Sequence, residues 1–368
     1  MELLSIVIPT RNREKYCISA IKQILEYESE SFEIVIRDNS DSDEIENYVS
    51  AINDSRVVYI HIKERINSVI NMDSAMRMAS GEYICMIGDD DTILPSIFDV
   101  AKWAKLNGFD NVTPLNMITY FWPDGKEQSG TISWNVYNDS RIQIKNCETQ
   151  LNKFVRDGCI RYNEYLPRVY HGLIKRIALE KVMSKTNHII GGLSPDIYMA
   201  ITVACVCESF VVIEKPFTIA GACPSSYTSR DNTGRNSFSI DENPQLYKRG
   251  PYTWDNRIPR VKTSQTIWAE TAIKALEEIH RADLITHFNQ GCLFAEMLRY
   301  NAKHKHIFYP AIKKTKLVTS KLTVILGYVG YYVTKSFNKI FRSKVQKVNI
   351  CNIQDMDVAI HIYNEYYK

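Results

Sequence analysis

The chain of 368 residues is defined first by what it lacks. Its nine cysteines are odd in number and scattered, and no Cys-x-x-Cys pair occurs. Spacing of that kind supports neither a zinc site nor a disulfide framework, and thiols inside regular elements act as small apolar groups. No GxxxxGK[ST] loop and no GxGxxG follows the first apolar run, which excludes a P-loop nucleotidase and a nicotinamide enzyme. There is no internal repeat and no low-complexity tract. Acidic residues are missing from Ala302 to Lys347, where eleven Lys or Arg occur. The net charge of +3 therefore hides −8 on the rest of the chain, +3 less 11. No recognition motif for nucleic acid accompanies the basic segment, so no nucleic-acid partner is expected.

What is present begins with short, wholly apolar runs. Leu3 to Thr10 and Phe32 to Arg37 read as buried strands, the second closed by Asp38-Asn39-Ser40. Ile18, Ile21, Ile24 and Leu25 recur at helical spacing and predict a crossover helix from Glu14 to about Tyr27. Val57 to Ile62 is a third strand, and Val69, Met72, Met76 and Ala79 mark the helix before a fourth strand at Tyr83. An order β-α-β-α-β-α-β calls for an α/β fold with a parallel sheet and right-handed crossovers. Ligands of such sheets sit beyond the carboxyl ends of the strands, where Thr10, Asp38 and Asp89 to Asp91 all fall.

Gly81 to Asp91 (GEYICMIGDDD) runs a strand straight into three carboxylates, followed by Pro95. Hard oxygen ligands suit Mn2+ or Mg2+, which keep open positions for phosphate oxygens. The plain alternative is an acidic turn that caps the next helix. Asp38 can accept a hydrogen bond from a nucleobase imide or a ribose. Together these outline a nucleotide-sugar site.

The segments SIVIPTRNR (Ser5 to Arg13), FEIVIRDNSDSD (Phe32 to Asp43) and ASGEYICMIGDDD (Ala79 to Asp91), with Pro95 after them, resemble the family 2 glycosyltransferases. The resemblance implies a GT-A fold, with a mostly parallel Rossmann-like sheet flanked by helices, and a metal-dependent, inverting transfer from a nucleotide diphosphate sugar. It implies that Pro9, Thr10, Arg13, Asp38, Asn71, Asp89 and Asp90 bind the nucleotide or donor and that Asp90 and Asp91 take the metal, Asp90 as principal ligand. Many relatives read Asp-x-Asp-Asp, whereas the first of those positions here is Gly88. An inverting displacement also needs a base opposite the leaving diphosphate. Asp196, in the Gly-rich turn Ile190 to Tyr198, is the candidate, and a helix cap is the alternative reading.

Three further positions are candidates for the acceptor or the diphosphate. His171 falls in the strand expected over Arg168 to Lys175, beside Gly172. Arg230 and Arg235 lie in the long polar loop that begins at Gly221. Trp122 and Trp134 are available for sugar stacking or for the core. The expected organisation is a GT-A domain over residues 1–240 (donor half 1–110, acceptor half 111–240), a packed helical region 241–301, and a basic, apolar C-terminal region 302–368. Within the last, Leu322 to Val333 (LTVILGYVGYYV) is too short to span about 30 Å of hydrocarbon as a helix. An interfacial helix on an anionic membrane and a core helix with a basic face both fit it.

The expected function is thus transfer of a sugar, from a UDP-sugar for preference, to a saccharide acceptor. A lipid-linked precursor of a surface polysaccharide is the expected acceptor. The expected location is the cytoplasm, peripheral on the inner face of the membrane, since no signal peptide precedes the first strand. A sugar nucleotidyltransferase and a noncatalytic membrane-surface scaffold are the alternatives.

Overall fold

A computed structural model of the chain describes residues 2–29, 31–123, 129–136, 142–226, 238–241, 251–341 and 346–367. Arg230, Arg235, Arg342 and Lys344 lie outside the described residues.

The expected order appears in the first ninety residues: β1 (Leu4–Thr10), α1 (Glu14–Leu25), β2 (Phe32–Asp38), α2 (Glu44–Ile52), β3 (Val57–His61), α3 (Ser68–Met78) and β4 (Tyr83–Met86). Then come β5 (Thr92–Ile93), α4 (Ser96–Leu106), β6 (Asn111–Pro114), β7 (Ile118–Phe121), β8 (Gly130–Val136), β9 (Gln143–Asn146), α5 (Cys147–Arg156), α6 (Tyr162–Tyr165), β10 (Leu173–Lys175), α7 (Arg176–Thr186) and α8 (Pro195–Val206). The chain continues with β11 (Ser209–Ile213), β12 (Thr218–Ala222), α9 (Ser264–Glu278), α10 (Gln290–Tyr300), α11 (Lys305–Lys313), α12 (Lys321–Phe341), β13 (Gln346–Ile353) and α13 (Met356–Tyr366).

The main sheet has the order β3-β2-β1-β4-β10-β6-β11-β9. Strands β3, β2, β1 and β4 are parallel, and β10 is inserted antiparallel between β4 and β6. All seven residues of β1 are buried because both faces of the sheet are covered. Leu4, Ile6 and Ile8 pack on one side with Cys17, Ile21 and Ile97. Val7 and Val35 pack on the other with Val69, Leu179 and Val203. This two-faced burial is why the strands read as unbroken apolar runs rather than as alternation, and the arrangement is the expected α/β fold with a mostly parallel sheet flanked by helices.

A second sheet, β13-β8-β7-β12-β5, stands beside the first. It corrects the grouping of residues 302–368 as one region. Strand β13 pairs antiparallel with β8, and α13 sets Tyr363 and Tyr366 edge-on against Trp134. Residues 346–366 therefore complete the second sheet and its core. Trp122 and Trp134 are both buried, so neither is free to stack on a sugar.

Three other expectations are refined. The strand sought over Arg168 to Lys175 shrinks to β10, because His171 has φ 62° and the chain doubles back. A Cβ on Gly172 would fall 2.0 Å from the Arg168 carbonyl oxygen. The end of the helical region expected over 241–301 is a 3-10 turn, Ala282–His287, followed by α10, whose first turn is capped by the Asn289 side chain accepting from Cys292 N. The apolar stretch from Leu322 lies within the 21-residue α12. Among the described residues no helix is long and apolar enough to cross a membrane.

Candidate active site at the strand ends

Parallel pairing sets the site. Thr10 and Asp38 are register partners at the ends of β1 and β2, and the turn after β4 brings Asp89, Asp90 and Asp91 alongside. Thr10 Oγ1 donates to Asp89 Oδ2 at 2.8 Å. Arg13, just before α1, donates to Asp89 Oδ1 at 2.9 Å and reaches Asp90 Oδ1 at 3.5 Å. Its other amine donates to the Ser225 carbonyl at 3.2 Å. Asn71 on α3 donates to the carbonyls of Thr10 and Arg37, which staples the ends of β1 and β2, while its own Oδ1 is buried without a partner among the described residues. Pro9 is buried beside them.

The three aspartates do not converge on one point. Asp91 accepts from Gly88 N at 2.5 Å, Tyr170 OH at 2.8 Å and Gly221 N at 2.7 Å, and His171 Nε2 stands 3.2 Å from its Oδ2. Burial alone would push this carboxyl up, but His171, Gly88 N and Tyr170 outweigh burial and hold it below the usual range. Asp91 is thus held within the protein, Oδ2 by Gly88 N and Tyr170 OH and Oδ1, among the described residues, by Gly221 N alone. Asp90 differs. Its Oδ2 accepts from Cys223 N at 2.9 Å, but among the described residues Oδ1 has only the distant Arg13. Burial, then repulsion from Asp91 and Asp89, pushes the Asp90 carboxyl up to about 6. Asp89 is also raised by burial, with Arg13 and Thr10 pulling the other way.

A divalent cation fits this donor set at Asp90, with Asp89 across Arg13. Magnesium or manganese is commonly held by one or two carboxylates, the remaining positions going to water and phosphate. A buried carboxylate short of positive charge is the electrostatic counterpart of that chemistry. Elsewhere among the described residues, one set of three His, Asp or Glu side chains has its ligand atoms within 4.8 Å of one another: Asp43, Glu46 and His61. Lys63 already stands 3.1 Å from Asp43 there.

Gly88 explains the missing first Asp. A Cβ at this position would lie 2.6 Å from Tyr170 OH and 2.9 Å from Asp91 Oδ2. Tyr170 therefore takes the space that a side chain at residue 88 would need.

The nucleoside side is more closed than expected. Asp38 has no exposed surface, and its oxygens accept from Tyr59 OH at 2.9 Å and Ser40 N at 2.8 Å. Direct contact with a base is corrected accordingly: in this structure Asp38 braces the loop after β2. His171 is likewise buried, between Asp91 and Thr218 Oγ1 at 3.1 Å, rather than open to sugar hydroxyls.

Asp196 stands in the first turn of α8, the next residue after Pro195, and is partly exposed. Tyr162 OH donates to its Oδ2 at 3.0 Å and Ser194 Oγ to its Oδ1 at 2.5 Å. The segment before β10 links the two carboxylate groups. The Arg168 charge acts on Tyr162, while Tyr170 and His171, two and three residues on, hold Asp91. Among the described residues no carboxylate pairs with Arg168, and its Nε is buried without a partner.

Tyr170, Tyr59, Tyr162 and the backbone of Gly221 and Cys223 escape sequence reasoning, because each meets its aspartate across a long separation. The adjacency of Tyr170 to the His171-Gly172 turn is the one local signal. Trp122 was legible as an aromatic, but its Nε1 donates to the Asp90 carbonyl at 2.9 Å instead of facing a sugar.

Residues 5–164 match the model of "Glycosyl transferase family 2". A putative colanic acid biosynthesis glycosyl transferase of Escherichia coli is 36% identical over 100 residues, 27% of this chain and 36% of that protein. A GalNAc(5)-diNAcBac-PP-undecaprenol β-1,3-glucosyltransferase of Campylobacter jejuni is 28% identical over 150 residues, 39% of this chain and 47% of that protein. The chain thus spans less than half the length of either relative. Among solved structures, TarS 1–349 of S. aureus aligns over 92% of both chains at 14% identity with a TM-score of 0.49. Residues 5–164, which carry the strand ends and the Asp89–Asp91 turn, form a glycosyl transferase family 2 domain.

Proposed function

We propose that this chain transfers a sugar, with inversion, from a uridine diphosphate sugar to a hydroxyl of a lipid-linked saccharide, a precursor of a bacterial surface polysaccharide. The observation that carries the reading is Asp90: a buried carboxylate at the carboxyl ends of the sheet, raised by its neighbours and with one oxygen nearly unpartnered, inside a family 2 domain. Two relatives are named for transfer to undecaprenol-diphosphate-linked acceptors, the Campylobacter enzyme and an Escherichia coli UDP-Glc:α-D-GlcNAc-diphosphoundecaprenol β-1,3-glucosyltransferase, 29% identical over 91 residues. The second supports uridine in the donor.

A divalent cation held by Asp90 would neutralise the donor diphosphate and its departing charge. Asp91, tied to Gly88, Gly221, Tyr170 and His171, fixes the turn that presents Asp90. Arg13 offsets part of the negative charge and is held above its ordinary value by Asp89 and Asp90, against the opposing effect of its own burial. Asp196 is the base. Two hydroxyl donors orient it, and each oxygen keeps a lone pair for the acceptor. As the acceptor oxygen bonds to the anomeric carbon, its proton passes to Asp196, the bond from that carbon to the phosphate oxygen breaks, and UDP leaves from the opposite face.

The test is UDP release from UDP-glucose in the presence of GlcNAc-diphosphoundecaprenol and Mn2+, with a panel of other UDP-sugars beside it. Asp196→Asn should lower turnover roughly 10³-fold while UDP binding persists. Wild-type turnover in Asp196→Asn would remove Asp196 as base, and no release from any UDP-sugar would overturn the donor assignment.

A further inference from the structure

Helix α12 has two opposite apolar faces, and the fold uses one of them. Val324, Tyr328 and Tyr331 join the core formed with α5, α8, α9 and α10. The contact with α10 is close enough that a Cβ on Gly291 would fall 2.1 Å from the Val324 carbonyl oxygen. At 100° per residue, Leu322, Ile325, Leu326, Val329 and Val333 occupy an arc about 100° wide on the other side. All five are 53–66% exposed. Aliphatic side chains in a continuous row of that length are an unpartnered surface, not the scattered exposure of ordinary proteins.

We infer that this face lies on an anionic bilayer, with the helix in the plane of the interface. The inference extends the proposed function, since it supplies the surface that would present a lipid-linked acceptor. Charge selects the occupant. The segment from Ala302 to Lys347 has eleven Lys or Arg and no carboxylate. Lys303, Lys305, Lys313, Lys314, Lys316 and Lys321 are all exposed, on α11, on α12 and between or just before them. An apolar row on a segment whose charged side chains are all basic matches the acyl boundary and headgroups of an anionic leaflet. Crossing the bilayer is not an option for a helix this polar. Nor is α12 a loose tail. It packs on α10 before the chain returns as β13 to the sheet that contains β12, whose Gly221 donates to Asp91. Docking through α12 would thus hold the catalytic domain in one orientation to the membrane.

The experiment is flotation of the full chain with vesicles of phosphatidylglycerol and phosphatidylcholine, compared with phosphatidylcholine alone, at low and high salt. Binding is expected to the anionic vesicles only and to weaken with salt. Ile325→Glu with Val329→Glu should lower partitioning at least roughly tenfold. Because both side chains point away from the core, the thermal midpoint and UDP binding of the variant should not change. A folded protein that fails to float with anionic vesicles, or a variant that floats as the parent does, overturns the inference. So does a parent that is dimeric in solution and becomes monomeric in the variant, because a second copy would then occupy the face. UDP binding is measured without vesicles, so failure here and failure of the donor site are separate results.

Discussion

Adjacent aspartates with the same side chain have been given different tasks by their surroundings. Asp91 is stabilised by three donors and His171, so Asp91→Ala leaves Gly88 N, Gly221 N and Tyr170 OH unpaired in a buried site. That should cost about 3 kcal/mol or more in urea unfolding. Asp90 is the reverse case. Its carboxyl is pushed up to about 6, so holding it ionised at pH 7 opposes folding. Asp90→Asn should leave stability without cation or nucleotide equal or higher, and should abolish the metal-dependent part of UDP binding in calorimetry. Sequence alone located the three carboxylates and the three strand ends, because both follow from apolar runs that stop at polar turns. It ranked Asp90 above Asp91 by resemblance alone, because the donors that distinguish the two come from residues 170, 171, 221 and 223. It placed Asp38 against a base, whereas Tyr59 and Ser40 cover it.

At the scale of elements, the doubly covered strands of the main sheet were legible, since burial on both faces leaves continuous apolar runs. The second sheet was not. Strand β13 is an edge strand of mixed exposure, QKVNICNI, whose partner β8 lies some two hundred residues earlier. No local periodicity marks such a pairing. The closing contact is Trp134 against Tyr363 and Tyr366, so Trp134→Ala should cost about 3–5 kcal/mol and free α13 to exchange its amide hydrogens. The approach of β12 to the acidic turn is equally tight. A Cβ on Gly221 would lie 1.6 Å from the Asp90 carbonyl oxygen. Gly221→Ala should therefore weaken UDP binding more than it weakens the fold, as read by calorimetry beside thermal unfolding.

For the whole molecule, the helical layer carries its own pH dependence. Glu270 on α9 is fully buried and pushed up to about 7 by burial, although Asp255 N and Tyr252 OH donate to it. The folded state thus holds a proton that the unfolded chain releases near 4.5. Stability from this group is complete below about pH 4.5 and is lost as pH rises through 7, a change on the order of 3 kcal/mol. Glu270→Gln should flatten that part of the stability profile between pH 5 and 8. The catalytic reading joins the family 2 domain to Asp196 and to the membrane-facing helix, and it stands or falls on the donor site. The most direct measurement is calorimetric titration of UDP into the full chain with Mn2+ and again with excess EDTA, with dTDP and GDP alongside. The account predicts that UDP binds with Mn2+, that EDTA abolishes the binding, and that dTDP and GDP bind more weakly. Equal UDP binding with and without metal, or no binding of any of the three, would contradict it.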